Sequence, residues 1–228
     1  MVETNQTVPT RNDNEVVVEK ARDFWARSGK TVTIAALAVI VLGAAYLGYK
    51  YLIQAPKEKK AADALAVAEG YFRSDSIGVA LNGDGVNPGM LKVIDQYGGT
   101  KAGNLARYYA GTLLLKQGKP ADAAKHLGDF STDSKMVQAR AYKLLGDAYA
   151  EQGKNSDALA QYKKAARHFT DDEVNASEYL FLAAYFADRV VKDQQQAIEL
   201  FKELKEKFPR TERGFEADKY LAQLGQYK

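Results

Sequence analysis

The sequence predicts an all-α protein in which a single N-terminal transmembrane helix is followed by an α-solenoid of about three to four helix pairs. Three observations lead to this prediction. The 19 residues from Thr31 to Tyr49 are apolar or uncharged, a pattern with a period of 35 residues follows residue 100, and Gly and Ala recur at fixed places in each copy. Residues 76–89 lack a helical pattern and are predicted to be a loop.

The apolar run has the length and the flanks of a membrane span. As a helix it measures about 28 Å, close to the hydrocarbon thickness of a bilayer. Trp25 precedes it, and Tyr46, Tyr49 and Tyr51 cluster at its other end, where aromatic rings suit the headgroup layers. A buried core helix would carry a polar face, and a signal peptide would start closer to the N-terminus. We therefore predict an uncleaved transmembrane helix over residues 31–53.

The segments around the span divide the rest of the chain. Residues 1–14 are polar and predicted to be disordered. Residues 15–30 have apolar side chains at helical spacing, which fits either a juxtamembrane amphipathic helix on the membrane surface or a plain extension of the transmembrane helix. Pro56 should interrupt or restart the helix. The helical-repeat domain is predicted to occupy residues 57–228.

Charge and composition exclude several classes of function. The net charge is +3, and residues 51–228 carry 26 Lys and Arg against 24 Asp and Glu, with the signs interspersed. Nucleic-acid binding requires clustered basic charge, so no nucleic-acid partner is expected. The chain has no cysteine, which excludes disulfides and thiol chemistry. Four Lys or Arg lie close to each side of the span, so the flanking charges do not decide its orientation.

The 35-residue pattern resembles the tetratricopeptide repeat. A small residue in the first helix of each pair lets two antiparallel helices approach closely, and a glycine turn ends that helix. A second small residue keeps the pair tight. The corresponding positions are Gly111 and Gly146, Gly118 and Gly153, and Ala123 and Ala158.

Three further segments extend the array. Ala197 and Phe201 belong to the second helix of a third copy, and Ala197 lies 39 residues after Ala158, which predicts an insertion near Asp188–Gln194. Met90 to Tyr97 fits the second helix of a divergent initial repeat. The apolar residues from 215 to 224 fit a final capping helix.

No catalytic or metal-binding constellation is visible in the sequence. His126 and His168 are the only histidines, and each is predicted near the end of a second helix. The segment from Asn82 to Asn87 lacks the acidic spacing of a calcium loop and is predicted to be a Gly- and Asn-rich turn. We therefore predict a non-enzymatic protein without cofactor, metal or small-molecule substrate.

The predicted function of the array is protein binding along the concave face formed by the first helix of each pair. Some of these side chains, Leu105 and Phe181 above all, could instead pack against neighbouring repeats. Arrays that bind chaperone tails use a clamp of Lys and Asn, which is missing here. The candidate groove residues are Leu105, Tyr108, Thr112, Leu115, Arg140, Lys143, Asp147, Ala150, Phe181 and Tyr185.

The combination of a short tail, one span and a repeat array resembles the YfgM-type family of ancillary subunits of the bacterial SecYEG translocon. The stretch from Gly98 to Gly111 is similar to the first well-formed repeat of that family in its Bacteroidetes-like form. The resemblance implies a single-pass protein of the inner membrane, with a cytoplasmic N-terminus and periplasmic repeats. It also implies three kinds of partner: the SecYEG translocon, a periplasmic isomerase-like chaperone and unfolded client polypeptides.

Two functional hypotheses follow. In the first, the protein assists newly translocated envelope proteins beside the translocon. In the second, it is a scaffold of the cell envelope that coordinates assembly or division and shares only the repeats with the translocon subunits.

Overall fold

The structure is a computed structural model that describes residues 13–226. Helices account for 82% of the chain, and no strand occurs in the described part, which confirms the predicted all-α fold. The chain divides into two compact units, residues 1–56 and residues 57–228.

The first unit is dominated by one long helix, α1, which runs from Asp13 to Gly48 and continues into a π-helical segment, Tyr49–Gln54. The most apolar part of this helical stretch has a mean hydropathy of 2.1, and none of it is buried. Leu42, for example, is 69% exposed. The helix is long and apolar enough to cross a membrane, as the sequence predicts.

The segment before the apolar run belongs to the same helix. Residues 15–30 form part of α1 and no separate element, so the structure has the second of the two alternatives, an extension of the apolar helix. Of the predicted disordered tail, residues 1–12 lie outside the described residues. Its last two residues, Asp13 and Asn14, begin α1.

Pro56 does not break the helical structure. It is the second residue of α2 (Ala55–Arg73), directly after the π-helical segment. The N–H of Ala55 donates to the carbonyl oxygen of Lys50, five residues back. Because proline has no N–H to donate, the α-helical hydrogen bonding restarts with α2 around Pro56, the second of the two predicted alternatives.

The predicted loop at residues 76–89 contains a short helix, α3 (Ile77–Asn82), so the prediction is wrong for its first half. Ala80 and Leu81 of α3 are buried, and this apolar contact explains a helix where the surrounding Gly and Asn suggest none. The remainder is a turn closed by an isolated bridge between Gly83 and Pro88. Helix α4 (Met90–Tyr97) follows, as predicted.

The repeat array consists of three successive helix pairs and a terminal helix. The pairs are α5 with α6, α7 with α8, and α9 with α10; α11 covers the end. The bounds are α5 (Lys101–Lys116), α6 (Pro120–Gly128), α7 (Lys135–Glu151), α8 (Asn155–His168), α9 (Glu173–Phe186), α10 (Gln194–Lys207) and α11 (Glu212–Gln223).

Burial repeats with the 35-residue period of the sequence. Ala106, Ala141 and Ala176 occupy the same place in α5, α7 and α9, and each is at least 98% buried. Where the first helix carries glycine, the second helix lies against its backbone. A Cβ atom on Gly111 would be 2.5 Å from Cγ of Leu127. The small residues therefore set the close packing within each pair.

The third pair contains the predicted insertion. After α9 the chain forms a π-helical segment, Ala187–Val191, and then turns at Lys192, whose φ is +64°. The corresponding turns of the earlier pairs are Gly118 and Gly153, at φ +67° and +73°. Because each of these residues lies five positions before the buried alanine of the second helix, the extra residues lie before Lys192.

The side chains form two apolar clusters along the array. One contains residues from α2 to α7, and the other contains residues from α8 to α11. Tyr149, on α7, packs against both. This is the arrangement expected of a solenoid, in which each helix pair buries its apolar faces against its neighbours.

Candidate functional site

A hollow of about 440 Å³ lies where the first helices of the three pairs come together. Helices α5, α7 and α9 supply most of its walls, and Phe72 of α2 closes one side. Most of the lining is apolar or aromatic. The residues are Phe72, Leu105, Tyr108, Tyr109, Thr112, Met136, Val137, Ala139, Arg140, Ala165, Phe169, Asp172, Asn175, Ala176 and Tyr179.

A second hollow of about 260 Å³ adjoins the first. Tyr179 lines both, so the two form one groove along the first helices of the array. The second hollow is lined by Lys143, Glu178, Tyr179, Phe181, Leu182, Tyr185 and Arg213.

Seven of the residues predicted for the groove line one of these hollows. Four line the first, namely Leu105, Tyr108, Thr112 and Arg140. Three line the second, namely Lys143, Phe181 and Tyr185. The remaining three residues, Leu115, Asp147 and Ala150, line neither.

The structure explains why these three are placed elsewhere. Leu115 and Ala150 are half-buried and pack against the two apolar clusters. The carboxylate of Asp147 accepts hydrogen bonds from Nζ of Lys143 at 2.7 Å and from the hydroxyl of Tyr162 at 3.0 Å. Asp147 therefore joins the two helices of its own pair, and its role in the groove stays a prediction.

The first hollow owes its shape to packed aromatic rings. The ring of Tyr108 lies 5.8 Å from that of Tyr109 and 5.4 Å from that of Phe130. Tyr109 in turn packs at 5.0 Å against Phe72. Rings in such contacts are held in place, so they offer a rigid apolar surface to a ligand.

The tyrosine hydroxyls of this hollow stay neutral at physiological pH. Burial raises the pKa of Tyr108 and of Tyr179, and the nearby charge of Arg140 only partly opposes this in each. Burial, reinforced by the carboxylate of Glu69, also raises the pKa of Tyr109. These hydroxyls can therefore donate and accept hydrogen bonds at the groove surface.

Phe181 dominates the second hollow. Its ring packs against that of Tyr220 at 5.1 Å and that of Phe201 at 5.9 Å, and the guanidinium of Arg213 lies 4.4 Å from its centroid. Arg213 also donates to both carboxylate oxygens of Glu178, at 3.0 Å each. The cation here is already engaged, so the surface offered to a partner is mainly aromatic.

Sequence reasoning missed Tyr179, Phe72 and Met136, although all three line the first hollow. For Tyr179 a signal exists, because it lies two 35-residue periods after Tyr109. Phe72 precedes the clear repeats, and no repeat position identifies it. Met136 is 56% exposed at the start of α7 and adds a flexible apolar side chain to the rim.

The other candidate sites of the sequence have structural roles. The carboxylate of Asp84 accepts from the backbone N–H groups of Val86 and Asn87 at 2.8 and 2.6 Å, which closes the Gly- and Asn-rich turn. His168 lies edge-on to Tyr142 at 5.3 Å. Within residues 13–226, no group of three or more His, Cys, Asp or Glu could hold a metal ion.

A family model described as tetratricopeptide repeat matches residues 108–173 and, in a second overlapping placement, residues 143–210. These matches cover the helix pairs that build the groove. They confirm the predicted repeat type for this part of the chain. No curated protein matches the chain.

Proposed function

We propose that this protein is a membrane-anchored interaction protein whose groove binds extended or helical segments of other proteins. The observation that supports this is the pair of adjoining aromatic hollows on the first helices of the array. Tetratricopeptide repeats imply a role in protein–protein interaction, and proteins built from them are generally non-enzymatic scaffolds. The long apolar helix supplies the anchor.

The proposed setting is the bacterial inner membrane, with the N-terminus in the cytoplasm and the repeats in the periplasm. There the protein would be an ancillary subunit of the Sec translocon and, with an isomerase-like chaperone, assist newly translocated envelope proteins. The similarity of the tail, span and array to the YfgM-type architecture supports this setting. The groove is suited to it because an unfolded client exposes the apolar side chains that aromatic walls bind.

Site-specific photo-crosslinking in intact cells tests the partners. A photoreactive residue in place of Thr112, which lines the first hollow, should form adducts with translocon subunits, the chaperone and client polypeptides. The matched control is the same replacement at Glu199, which is exposed on the second helix of the third pair. Adducts no stronger at position 112 than at 199 would contradict a binding groove.

The identity of the adducts separates the two hypotheses. Septal proteins or outer-membrane assembly factors, in place of translocon subunits, would support the envelope scaffold. Affinity purification from detergent-solubilised membranes provides an independent test of the same point.

Protease treatment of intact spheroplasts tests the orientation. If the repeats face the periplasm, the protease should degrade residues 57–228 and leave the N-terminal segment protected. Cleavage of the N-terminal segment alone would show that the orientation is the opposite one, with the repeats in the cytosol, and would favour a cytosolic adaptor.

A further inference from the structure

Arg140 lines the first hollow and has no ion-pair partner within residues 13–226. It is exposed on α7, in the middle of the three pairs. The two cations of the second hollow differ from it in this respect. Lys143 pairs with Asp147 at 2.7 Å, and Arg213 pairs with Glu178 at 3.0 Å. An unpaired guanidinium on an aromatic surface is available to an anionic group of a ligand.

Two tyrosines make the surroundings of Arg140 suitable for a carboxylate. Tyr108 of α5 and Tyr179 of α9 line the same hollow, and the charge of Arg140 acts on the ionisation of both. Because both hydroxyls are neutral, each can donate a hydrogen bond to a carboxylate. A carboxylate at this place would combine charge-assisted N–H donors from arginine with O–H donors from tyrosine.

The acidic residue of the hollow, Asp172, lies at the start of α9 and is held there by its own helix. Its carboxylate accepts from the backbone N–H of Asn175 at 3.2 Å and from Nδ2 of the same residue at 2.7 Å. It thereby caps the N-terminus of α9, where the helix dipole favours negative charge. These donors and the helix dipole offset part of the negative charge of Asp172, whose field still reaches Tyr179.

The remainder of the hollow is apolar. Phe72, Leu105 and Phe169 line it, and the exposed side chain of Met136 lies at its rim. Such a surface accommodates an aromatic or aliphatic side chain next to the charged group. The groove does not end at Arg140, since the hollow extends to α5 on one side and, through Tyr179, into the second hollow on the other.

We propose that the first hollow binds an internal segment of a partner protein that places an Asp or Glu side chain on Arg140 and an adjacent aromatic or aliphatic side chain between Phe72 and Phe169. The proposal rests on the proposed function and specifies the chemistry of the segment that the groove accepts. An internal segment is favoured over a chain end because the lining continues on both sides of Arg140, towards α5 and, through Tyr179, towards the second hollow. The apolar contacts supply affinity, and the charge pair supplies selectivity.

Fluorescence anisotropy with the full-length protein in detergent micelles tests the proposal. The probes are short peptides with blocked ends and Gly-Ser flanks around Leu-Phe-Glu-Leu, Leu-Phe-Gln-Leu or Leu-Phe-Lys-Leu. A fourth probe has the glutamine core and an unblocked carboxylate directly after it. We expect the glutamate peptide to bind about fivefold more tightly than the glutamine peptide, as a partly exposed charge pair allows.

Substitutions at Arg140 identify the group responsible. Arg140→Gln should abolish the preference for glutamate, and Arg140→Glu should reverse it in favour of the lysine peptide. Arg210→Gln, at an exposed arginine between α10 and α11, is the matched control and should keep the wild-type preference. Persistence of the preference in Arg140→Gln would overturn the proposal.

The remaining outcomes separate this inference from the proposed function. If the glutamate and glutamine peptides bind equally, and Tyr179→Ala weakens both, the groove binds peptides but the preference for an acidic side chain is wrong. If the peptide with the free carboxylate binds most tightly, the groove accepts a chain end and the internal segment is wrong. If none of the peptides binds, the proposed function fails together with this inference.

Discussion

Gly146 of α7 lies so close to the ring of Tyr162 on α8 that a Cβ atom at this position would be 2.5 Å from Cε1. In Gly146→Ala the helix propensity improves by about 1 kcal/mol, but the ring or the helix must move, at a cost of about 1–3 kcal/mol. We expect net destabilisation of about 1 kcal/mol, measured by circular dichroism as urea unfolding of the full chain in micelles.

Gly70 is the matched control for Gly146, because it also lies inside a helix but a Cβ atom there would meet nothing within 4 Å outside its own helix. Gly70→Ala should therefore gain helix propensity without a clash and stabilise the protein by up to about 1 kcal/mol. Equal effects of the two substitutions would show that the close approach of α7 and α8 is not the reason why position 146 has glycine.

Asp84 is a residue whose ionisation the structure clearly perturbs. The hydroxyl of Tyr71 donates to its carboxylate at 2.6 Å, and Asn87 and Val86 donate as well. These donors, Tyr71 first, hold the pKa of Asp84 well below its ordinary value of 3.8. Because the folded pKa is depressed, the stabilisation is present above the ordinary pKa and is lost as the pH falls through the lower one.

Tyr71→Phe removes the strongest of these donors and should move the pKa of Asp84 upward, towards its ordinary value. The measurement is a ¹³C NMR titration of the aspartate side-chain carboxyls in the full chain. Tyr97→Phe, on the neighbouring helix α4, is the control and should leave the Asp84 titration unchanged. An unchanged midpoint in Tyr71→Phe would show that the donors of Val86 and Asn87 suffice to depress the pKa.

The turn between α9 and α10 has a lysine where the corresponding turns of the two earlier helix pairs have a glycine. Lys192 has φ +64°, in the left-handed region where residues with a side chain are strained and where the earlier repeats have glycine. Lys192→Gly relieves a strain of about 1–2 kcal/mol but adds freedom to the unfolded chain worth up to about 1 kcal/mol.

We therefore expect Lys192→Gly to raise the unfolding temperature of the full chain by about 2–4 °C, consistent with a gain near 1 kcal/mol. The reverse change at the equivalent turn, Gly153→Lys, should lower it by a similar amount. A lower unfolding temperature in Lys192→Gly would mean that the lysine side chain stabilises this turn through contacts that outweigh the strain.

Besides the apolar contacts between α2 and α5, a carboxylate of α2 caps the N-terminus of α5. Oε2 and Oε1 of Glu58 accept hydrogen bonds from the backbone N–H groups of Lys101 and Ala102 at 3.0 and 3.1 Å, at the N-terminus of α5. Glu58 thus satisfies two donors that a helix end leaves unpaired, and its charge suits the helix dipole.

Removing this carboxylate in Glu58→Ala should cost about 1 kcal/mol, within the range of a lost helix cap. The loss should appear as faster hydrogen exchange in the first turns of α5, measured by mass spectrometry on the full chain. Asp63→Ala, at an exposed acidic residue of the same helix, should leave exchange in α5 unchanged. Equal exchange in both variants would show that α5 does not depend on the Glu58 cap.

The helices that repeat with a period of 35 residues were predictable because small residues and glycine turns mark them directly. Helix α3 was not, since its helical state depends on burying Ala80 and Leu81 and its sequence neighbours are turn formers. The groove was predictable in outline, because seven of the candidate residues lie in it. The ion pair of Asp147 with Lys143 follows from their spacing of four residues on α7. The hydrogen bond from Tyr162 to Asp147 and the unpaired state of Arg140 depend on other helices, which a sequence period does not reveal.

The two units of the molecule differ in where their apolar side chains lie. The repeat domain buries apolar side chains in two clusters along the array. In α1 they are outside: Ile40 and Val41 are each 65% exposed. A row of exposed apolar side chains is costly in water and favourable in a bilayer, so the first unit is compatible with a membrane anchor.

This difference predicts that introduced charges release the protein from the membrane when they lie in the apolar helix and have no such effect when they lie in the repeat domain. An arginine or aspartate at the centre of a membrane helix costs about 2.5–3.5 kcal/mol on insertion scales. The double variant Ile40→Arg and Val41→Asp should therefore move the protein from the membrane pellet to the supernatant after alkaline carbonate extraction.

The matched control places the same charges on exposed valines of the repeat domain. Val174 and Val190 are 69% and 44% exposed, so Val174→Arg with Val190→Asp should leave the protein in the pellet. If the Ile40 and Val41 double variant also stays in the pellet, another surface attaches the protein to the membrane. If both double variants are released, attachment depends on overall charge and not on the apolar helix. Release of the first variant alone would show that the apolar helix holds the repeats at the membrane.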